Sequence, residues 1–226
     1  MAPAHEGSHG LRKSRGWIVL VVAGVFAPLW GFWTLVDGLR QGQAFAFDVP
    51  VLQAVHSIAN AHLDRMFLAI TALGYGWGVI PADAILVLGL ALARRTREAV
   101  FASVSILGSL ALDFLVKHSF ERARPSLWDS LLHEDSYSFP SGHAMASMTL
   151  AWIVVLLCWS ARPPLPRRLR WSVTVAAAVC VALVGLSRIY LGLHYPSDIL
   201  GGWAAASSWV VSVYAVMFHR RRSSIA

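Results

Sequence analysis

Three short polar stretches in this sequence hold residue types and spacings that could do chemistry. In residues 187–198 (Ser-Arg-Ile-Tyr-Leu-Gly-Leu-His-Tyr-Pro-Ser-Asp), His194 and Asp198 stand four apart. On a helix start that spacing puts both side chains on one face, and Pro196 is tolerated in a first helical turn. A carboxylate on one imidazole nitrogen fixes the tautomer and leaves the other nitrogen free as a nucleophile or base. In Phe139-Pro140-Ser141-Gly142-His143, a glycine-containing turn feeds an apolar run. A helix starting there offers free backbone N–H groups and the positive end of its dipole to an anion. His143 sits at that end to give or take a proton, while Ser141 is equally well suited to cap the helix. In residues 117–125, Lys117 and Arg124 are seven apart and point the same way if helical. Alone, they read rather as interfacial cations reaching for headgroups.

The rest of the chain says what must position these residues. Of 226 residues, 57% are hydrophobic and 14% charged, against about 45–50% and 25% in ordinary soluble domains. With a mean hydropathy of +0.58, this excludes disordered tails, fibrous repeats and most soluble folds. An all-α, polytopic membrane protein forming one domain over residues 1–226 is expected. The net charge of +7 comes from short basic runs between apolar stretches, which is a topology signal, so no nucleic-acid partner is expected. Cys158 and Cys180 lie inside apolar runs and are expected as packed hydrophobes.

Six apolar runs are long enough to cross a bilayer: 17–36, 66–93, 98–116, 144–160, 171–187 and 199–218. The second is over-long and contains Gly74, Gly76, Gly78, Pro81 and Asp83, so a tilt or a local break is expected there. Thirteen Lys/Arg fall on the side of the termini and six on the other. That puts the termini, with a tail at 1–16, in the cytoplasm, and the loops at 37–65, 117–143 and 188–198 outside. The first run is too long and bulky for a cleaved signal and is expected to remain as a span. Between the first two, Asp48 caps a short helix with Pro50 in its first turn, and Val49, Leu52, Val55, Ala59 and Leu63 recur at helical spacing along the interface.

In this topology the three stretches share one side, at the ends of spans three and five and the starts of four and six. Lys117, Arg124 and Arg188, two helix N-termini, two histidines and one carboxylate then face one pocket. That set suits a phosphoryl group, whose transfer is mostly positioning and electrostatics.

The motifs read K-x6-R-P (117–125), P-S-G-H (140–143) and S-R-x5-H-x3-D (187–198). In them the sequence resembles the type 2 phosphatidic acid phosphatase family, the lipid phosphate phosphatases. The resemblance implies the helical bundle that this family shares with haloperoxidases. It makes His194 the nucleophile that carries a phosphohistidine and Asp198 the group that orients it. His143 protonates the leaving oxygen and then activates water, while Lys117, Arg124, Ser141, Gly142 and Arg188 hold the phosphoryl oxygens. It implies no metal and no cofactor. The substrates it suggests are undecaprenyl pyrophosphate, phosphatidylglycerol phosphate, phosphatidic acid or diacylglycerol pyrophosphate, met at the outer face of a bacterial inner membrane. A lipid phosphotransferase or lipid A phosphatase of the same superfamily is the alternative enzyme, and a non-catalytic lipid-binding or transport protein the alternative outside enzymes.

The remaining polar residues are given lesser parts. Asp113 is expected as a salt partner of Lys117, and Glu121 and Arg122 at a substrate rim. His118 and the run His133-Glu134-Asp135 are expected in solvated loop, and His56 and His62 have no role. Trp128, Leu131, Leu132 and Phe139 are expected to line the lipid access.

Overall fold

Runs of about 20 apolar residues satisfy their backbone polar groups most cheaply as helices, and helices are what the chain forms. The computed structural model describes residues 17–218, and among these there are eight helices and no strand. We number them α1 (Trp17–Arg40), α2 (Asp48–His56), α3 (Ala61–Leu73), α4 (Val79–Leu92), α5 (Thr96–Phe120), α6 (Gly142–Ser160), α7 (Arg167–Tyr190) and α8 (Pro196–Phe218). Within α1, Pro28 has no N–H to give to the turn before it, and the helix widens to a π turn at Val22–Phe26 just ahead of it.

Five helices, α1, α5, α6, α7 and α8, are long and apolar enough to cross a membrane. The run at 66–93, expected as one span, is divided into α3 and α4 by a turn at residues 74–78. The 14 residues of α4 reach about 21 Å, short of a hydrocarbon core of about 30 Å. Gly78 is required by the break, because a Cβ there would collide with the Leu73 carbonyl oxygen, and Gly74 lets the turn pack on α7, where a Cβ would stand 2.7 Å from Val184.

Helix boundaries shift towards the polar stretches. Helix α5 continues to Phe120 and α7 to Tyr190, so Lys117 and Arg188 stand on last helical turns rather than in loops. Helix α6 begins at Gly142, which places His143 in its first turn. The Asp48 cap is not found: the N-cap position is Phe47, with no side-chain cap bond. Asp48 is buried inside the first turn instead, because partners from distant elements hold its carboxylate. Helix α2 ends at His56, and Leu63 belongs to α3, which Asn60 caps by accepting from the N–H groups of His62 and Leu63.

Helix α8 is the centre of the bundle. Half of its apolar window is buried, against 6% for α1, and it packs on α6, α5 and α1. Phe101, Ile153, Leu156, Val210, Tyr214 and Phe218 join α5, α6 and α8 in one core. The outward faces carry exposed Trp30, Ile85, Leu107, Phe114 and Val216, apolar surface of the kind a bilayer covers. Cys158 is half-buried, but Cys180, expected to be packed, is exposed on α7. The termini counted for topology, including Arg12, Lys13, Arg15 and Arg220, lie outside the described residues.

Close approach between α8 and the chain entering α6 fixes the polar end. A Cβ at Gly202 would stand 2.9 Å from the Ser141 carbonyl oxygen, and one at Gly201 would stand 2.5 Å from the Phe139 ring. The Ser141 N–H donates to the Asp198 carbonyl at 3.1 Å. Small residues thus let two helix starts meet where the motifs lie.

Candidate active site

His194 lies in the tight connection between α7 and α8. Gly192 takes the left-handed conformation (φ +69) that closes this turn, and the Leu193 N–H donates to the Arg188 carbonyl at 3.1 Å. Asp198 stands in the first turn of α8 and reaches back to accept from the Tyr195 N–H at 2.8 Å, as acidic side chains do at helix starts. The same oxygen, Oδ2, accepts from Ser138 Oγ at 2.6 Å. His194 Nδ1 is 3.6 Å from Asp198 Oδ2 and 3.5 Å from Ser138 Oγ. The opposite nitrogen, Nε2, faces Arg124 Nη1 at 3.1 Å. His194 is 1% exposed. Burial, then the guanidinium groups of Arg188 and Arg124, hold its imidazole well below the usual histidine range. It is therefore a neutral base with Nδ1 on the side of Asp198 and Ser138 and Nε2 facing a cation.

Two arginines wall the Nε2 side. Arg124 donates from Nη1 to the Leu193 carbonyl at 2.7 Å and from Nη2 to Glu134 Oε2 at 2.7 Å. Arg188 is fully buried, donates from Nη1 to Thr71 Oγ1 at 2.6 Å, and pairs through Nη2 with Glu134 Oε1. Lys117 Nζ pairs with Asp113 Oδ2 at 3.1 Å and lies 3.3 Å from where a Gly142 Cβ would be. Ser141 Oγ accepts from the Ala144 N–H at 3.4 Å and so caps α6. The His143 ring packs against Tyr75 with centroids 4.8 Å apart, within range of the charges of Arg188, Glu134 and Lys117. His194, Asp198, Arg124 and Arg188 thus form one connected cluster, and Lys117, Ser141, Gly142 and His143 gather at the start of α6 beside it. Among the described residues no three His, Cys, Asp or Glu side chains come together to hold a metal ion.

Residues 98–222, which contain all three motifs, match the PAP2 superfamily. The chain belongs to that superfamily. It is 29% identical over 173 residues to the phosphatidylglycerophosphatase B of Bacillus subtilis (strain 168), covering 76% of this chain and 84% of the relative. An undecaprenyl-diphosphatase of Sulfolobus acidocaldarius is 28% identical over 206 residues, covering 88% and 89%. Among solved structures, a transmembrane PAP2-type phosphatidylglycerolphosphate phosphatase from Bacillus subtilis superposes with a TM-score of 0.74 at 26% identity, covering 84% of this chain and 94% of that one. With its long apolar helices, this PAP2 chain is an integral membrane protein.

Several lesser expectations are corrected by the PAP2 fold around the site. Glu134, expected in solvated loop, bridges Arg124 and Arg188. Burial alone would raise its carboxyl, but Arg188 and Arg124 outweigh it and bring it down to about 2. Arg122, expected at a rim, is turned inwards. Its Nη1 donates to Asp198 Oδ1 at 2.5 Å and to Ser197 Oγ at 2.7 Å, and its Nη2 to Asp48 Oδ2 at 2.8 Å. Asp48 in turn accepts from the Ser197 N–H at 2.9 Å and from Ser197 Oγ at 2.6 Å. Phe139 lines no access path: it is fully buried and stacked on Phe32 with centroids 5.9 Å apart. Trp128 stacks on His56, giving that histidine a packing role, and Leu132 joins the cluster of Phe67 and Tyr190. Asp113 does pair with Lys117.

Four residues of the site escaped sequence reasoning: Asp48, Thr71, Glu134 and Ser138. Asp48 and Thr71 lie ahead of the PAP2 match, on α2 and α3. Asp48 had a signal, a carboxylate in an apolar segment, that a helix cap accounted for too readily. Glu134 had one in charge balance, because three inward cations without a ligand need a resident anion. Thr71 and Ser138 had none.

Proposed function

We propose that this PAP2 chain is a membrane lipid phosphatase that hydrolyses terminal phosphates of lipid monophosphates or diphosphates through His194. The observation that carries the reading is the setting of that imidazole, with Nδ1 towards Asp198 and Nε2 towards the cations. In the first step Nε2 attacks phosphorus, the bond to the leaving oxygen breaks, and His143 gives that oxygen a proton. Asp198 balances the charge that appears on the phosphorylated imidazole. In the second, His143 takes a proton from water as the water oxygen attacks phosphorus. The P–N bond breaks, and phosphate leaves with His194 neutral again. Arg124, Arg188, Lys117, the Ser141 hydroxyl and the Gly142 N–H group hold the equatorial oxygens, where charge concentrates.

A lipid substrate is favoured by the cavity next to this cluster. It has a volume of about 460 Å³, ordinary for a small-molecule site. It runs between α4, α5 and α6 past Ile80, Val87, Ile106, Leu110 and Met145, carries Asp83, Ser109 and Thr149 along its wall, and is also lined by Asp113 and Gly142, the neighbours of Lys117. An acyl or prenyl tail in that groove would set its phosphate beside Lys117. The names of the relatives point the same way, one towards phosphatidylglycerol phosphate and one towards undecaprenyl diphosphate. The Lys/Arg asymmetry, thirteen on the side of the termini and six on the other, supports cytoplasmic termini and an outward-facing site in a bacterial inner membrane.

The test is phosphate release by the purified protein in detergent with chelator present. The substrates are phosphatidylglycerol phosphate, undecaprenyl diphosphate, phosphatidic acid and diacylglycerol pyrophosphate, each beside His194→Ala. Release that the folded His194→Ala variant loses supports the reading, and equal release by both proteins removes His194 as nucleophile. Silence across all four substrates from folded protein refutes the phosphatase.

A further inference from the structure

The nitrogen that must meet phosphorus is covered by a guanidinium. Arg124 Nη1 sits 3.1 Å from His194 Nε2, and Glu134 Oε2 holds the same guanidinium 2.7 Å away at Nη2. The other Glu134 oxygen is paired with Arg188 Nη2. One carboxylate therefore spans two guanidinium groups with two oxygens, the geometry in which arginines also receive phosphoryl oxygens. The match is incomplete. Arg188 is fully buried, yet its Nε has no partner, and an unmade hydrogen bond on a buried charged group is costly. The cradle is thus built for an anion with more acceptor oxygens than a carboxylate has.

We propose that Glu134 is a specificity-determining residue: a resident anion that a terminal phosphate displaces and that a phosphodiester headgroup does not. The inference rests on the phosphatase reading above. A terminal phosphate brings three free oxygens and close to two negative charges, enough to replace one carboxylate and engage the unpartnered Nε as well. A diester brings two free oxygens and one charge, so it gains nothing by the exchange. A phosphatase embedded in phospholipid is surrounded by diesters and needs such a barrier. Glu134 can yield: its side chain is 28% exposed, and residues 121–141 form no helix or strand.

The experiment measures binding rather than turnover, so it separates this inference from the phosphatase reading. Inorganic phosphate and dimethyl phosphate, a monoanionic diester, are titrated calorimetrically into the unliganded protein in detergent and into Glu134→Gln. The wild type should bind phosphate and show no binding of dimethyl phosphate. Glu134→Gln should bind phosphate about tenfold or more tightly, the scale of one charge-assisted hydrogen bond, and should bind dimethyl phosphate measurably. Weaker or unchanged phosphate binding by the folded variant overturns the proposal, because the carboxylate would then position the arginines rather than compete at them. Should Glu134→Gln not fold, Glu134→Asp makes the same test: its shorter carboxylate should give a smaller gain in the same direction, and a loss would overturn the proposal equally.

Discussion

Arg122 gives the site its most exposed weakness. Its guanidinium is the shared cation of two carboxylates, Asp48 and Asp198, which are 3% and 0% exposed. Arg122→Gln keeps most of the side chain's length but removes the charge, leaving both carboxylates buried without a counter-ion. Breaking a buried ion pair from one side costs about 3–5 kcal/mol. Because Arg122 keeps 15% of its side chain exposed, the lower end, about 3 kcal/mol, is expected. Asp48→Asn added to Arg122→Gln removes a charge that has already lost its partner, so the pair should cost clearly less than the sum of the two single variants. Independent sites add to within about 0.5 kcal/mol, and a coupling well above that is expected here. The assay is unfolding in detergent for the wild type, both single variants and the double variant, with phosphate-release kinetics on each folded protein. Arg122 touches the reaction only through Asp198, so kcat should fall while KM stays near its wild-type value, and Arg122→Lys should recover part of the loss. Additive stabilities, or a raised KM with kcat intact, would refute the reasoning and return Arg122 to the substrate rim.

Three further outcomes are expected. Histidine NMR of the unliganded protein should find the His194 ring neutral at its ordinary value of 6.5, and a titration midpoint at or above that value would contradict its burial among cations. The sign for stability follows: below pH 6.5 the unfolded chain takes up a proton that the folded site refuses, so stability should decline as pH falls. Gly201→Ala would set a Cβ 2.5 Å from the buried Phe139 ring, an overpacking expected to cost about 1–3 kcal/mol and to lower turnover through the adjoining 140–143 turn; an unchanged melting temperature would show that the contact gives way freely. A single cysteine placed in the 126–138 loop, with Cys158 and Cys180 replaced, should react with an impermeant thiol reagent on intact cells, and labelling only after the membrane is opened would reverse the proposed orientation.

What could be read before the structure was local. The lengths of the apolar runs set the long helices, and a four-residue spacing brought His194 to Asp198 although His194 stands just outside α8. Where the reading failed, the partner lay far along the chain: Asp48 meets Ser197 across 149 residues and Arg188 meets Thr71 across 117. Residue types and short spacings hold no record of such pairs, so Asp48 became a cap, Arg122 a rim residue and Glu134 a solvated one. All three errors have the same physical form. Each left a charge to solvent or to its own helix when the fold had buried it against distant partners, and a charge removed from water must be matched. On the proposed function, the motifs supply cations at Lys117, Arg124 and Arg188 for a phosphoryl group. The chain also neutralises them itself, with Asp113 at Lys117 and Glu134 at the two arginines. An active site built to bind an anion therefore implies a second set of residues, the carboxylates that stand in for it. They are found by balancing charge over the folded site, because no short spacing in the sequence marks them.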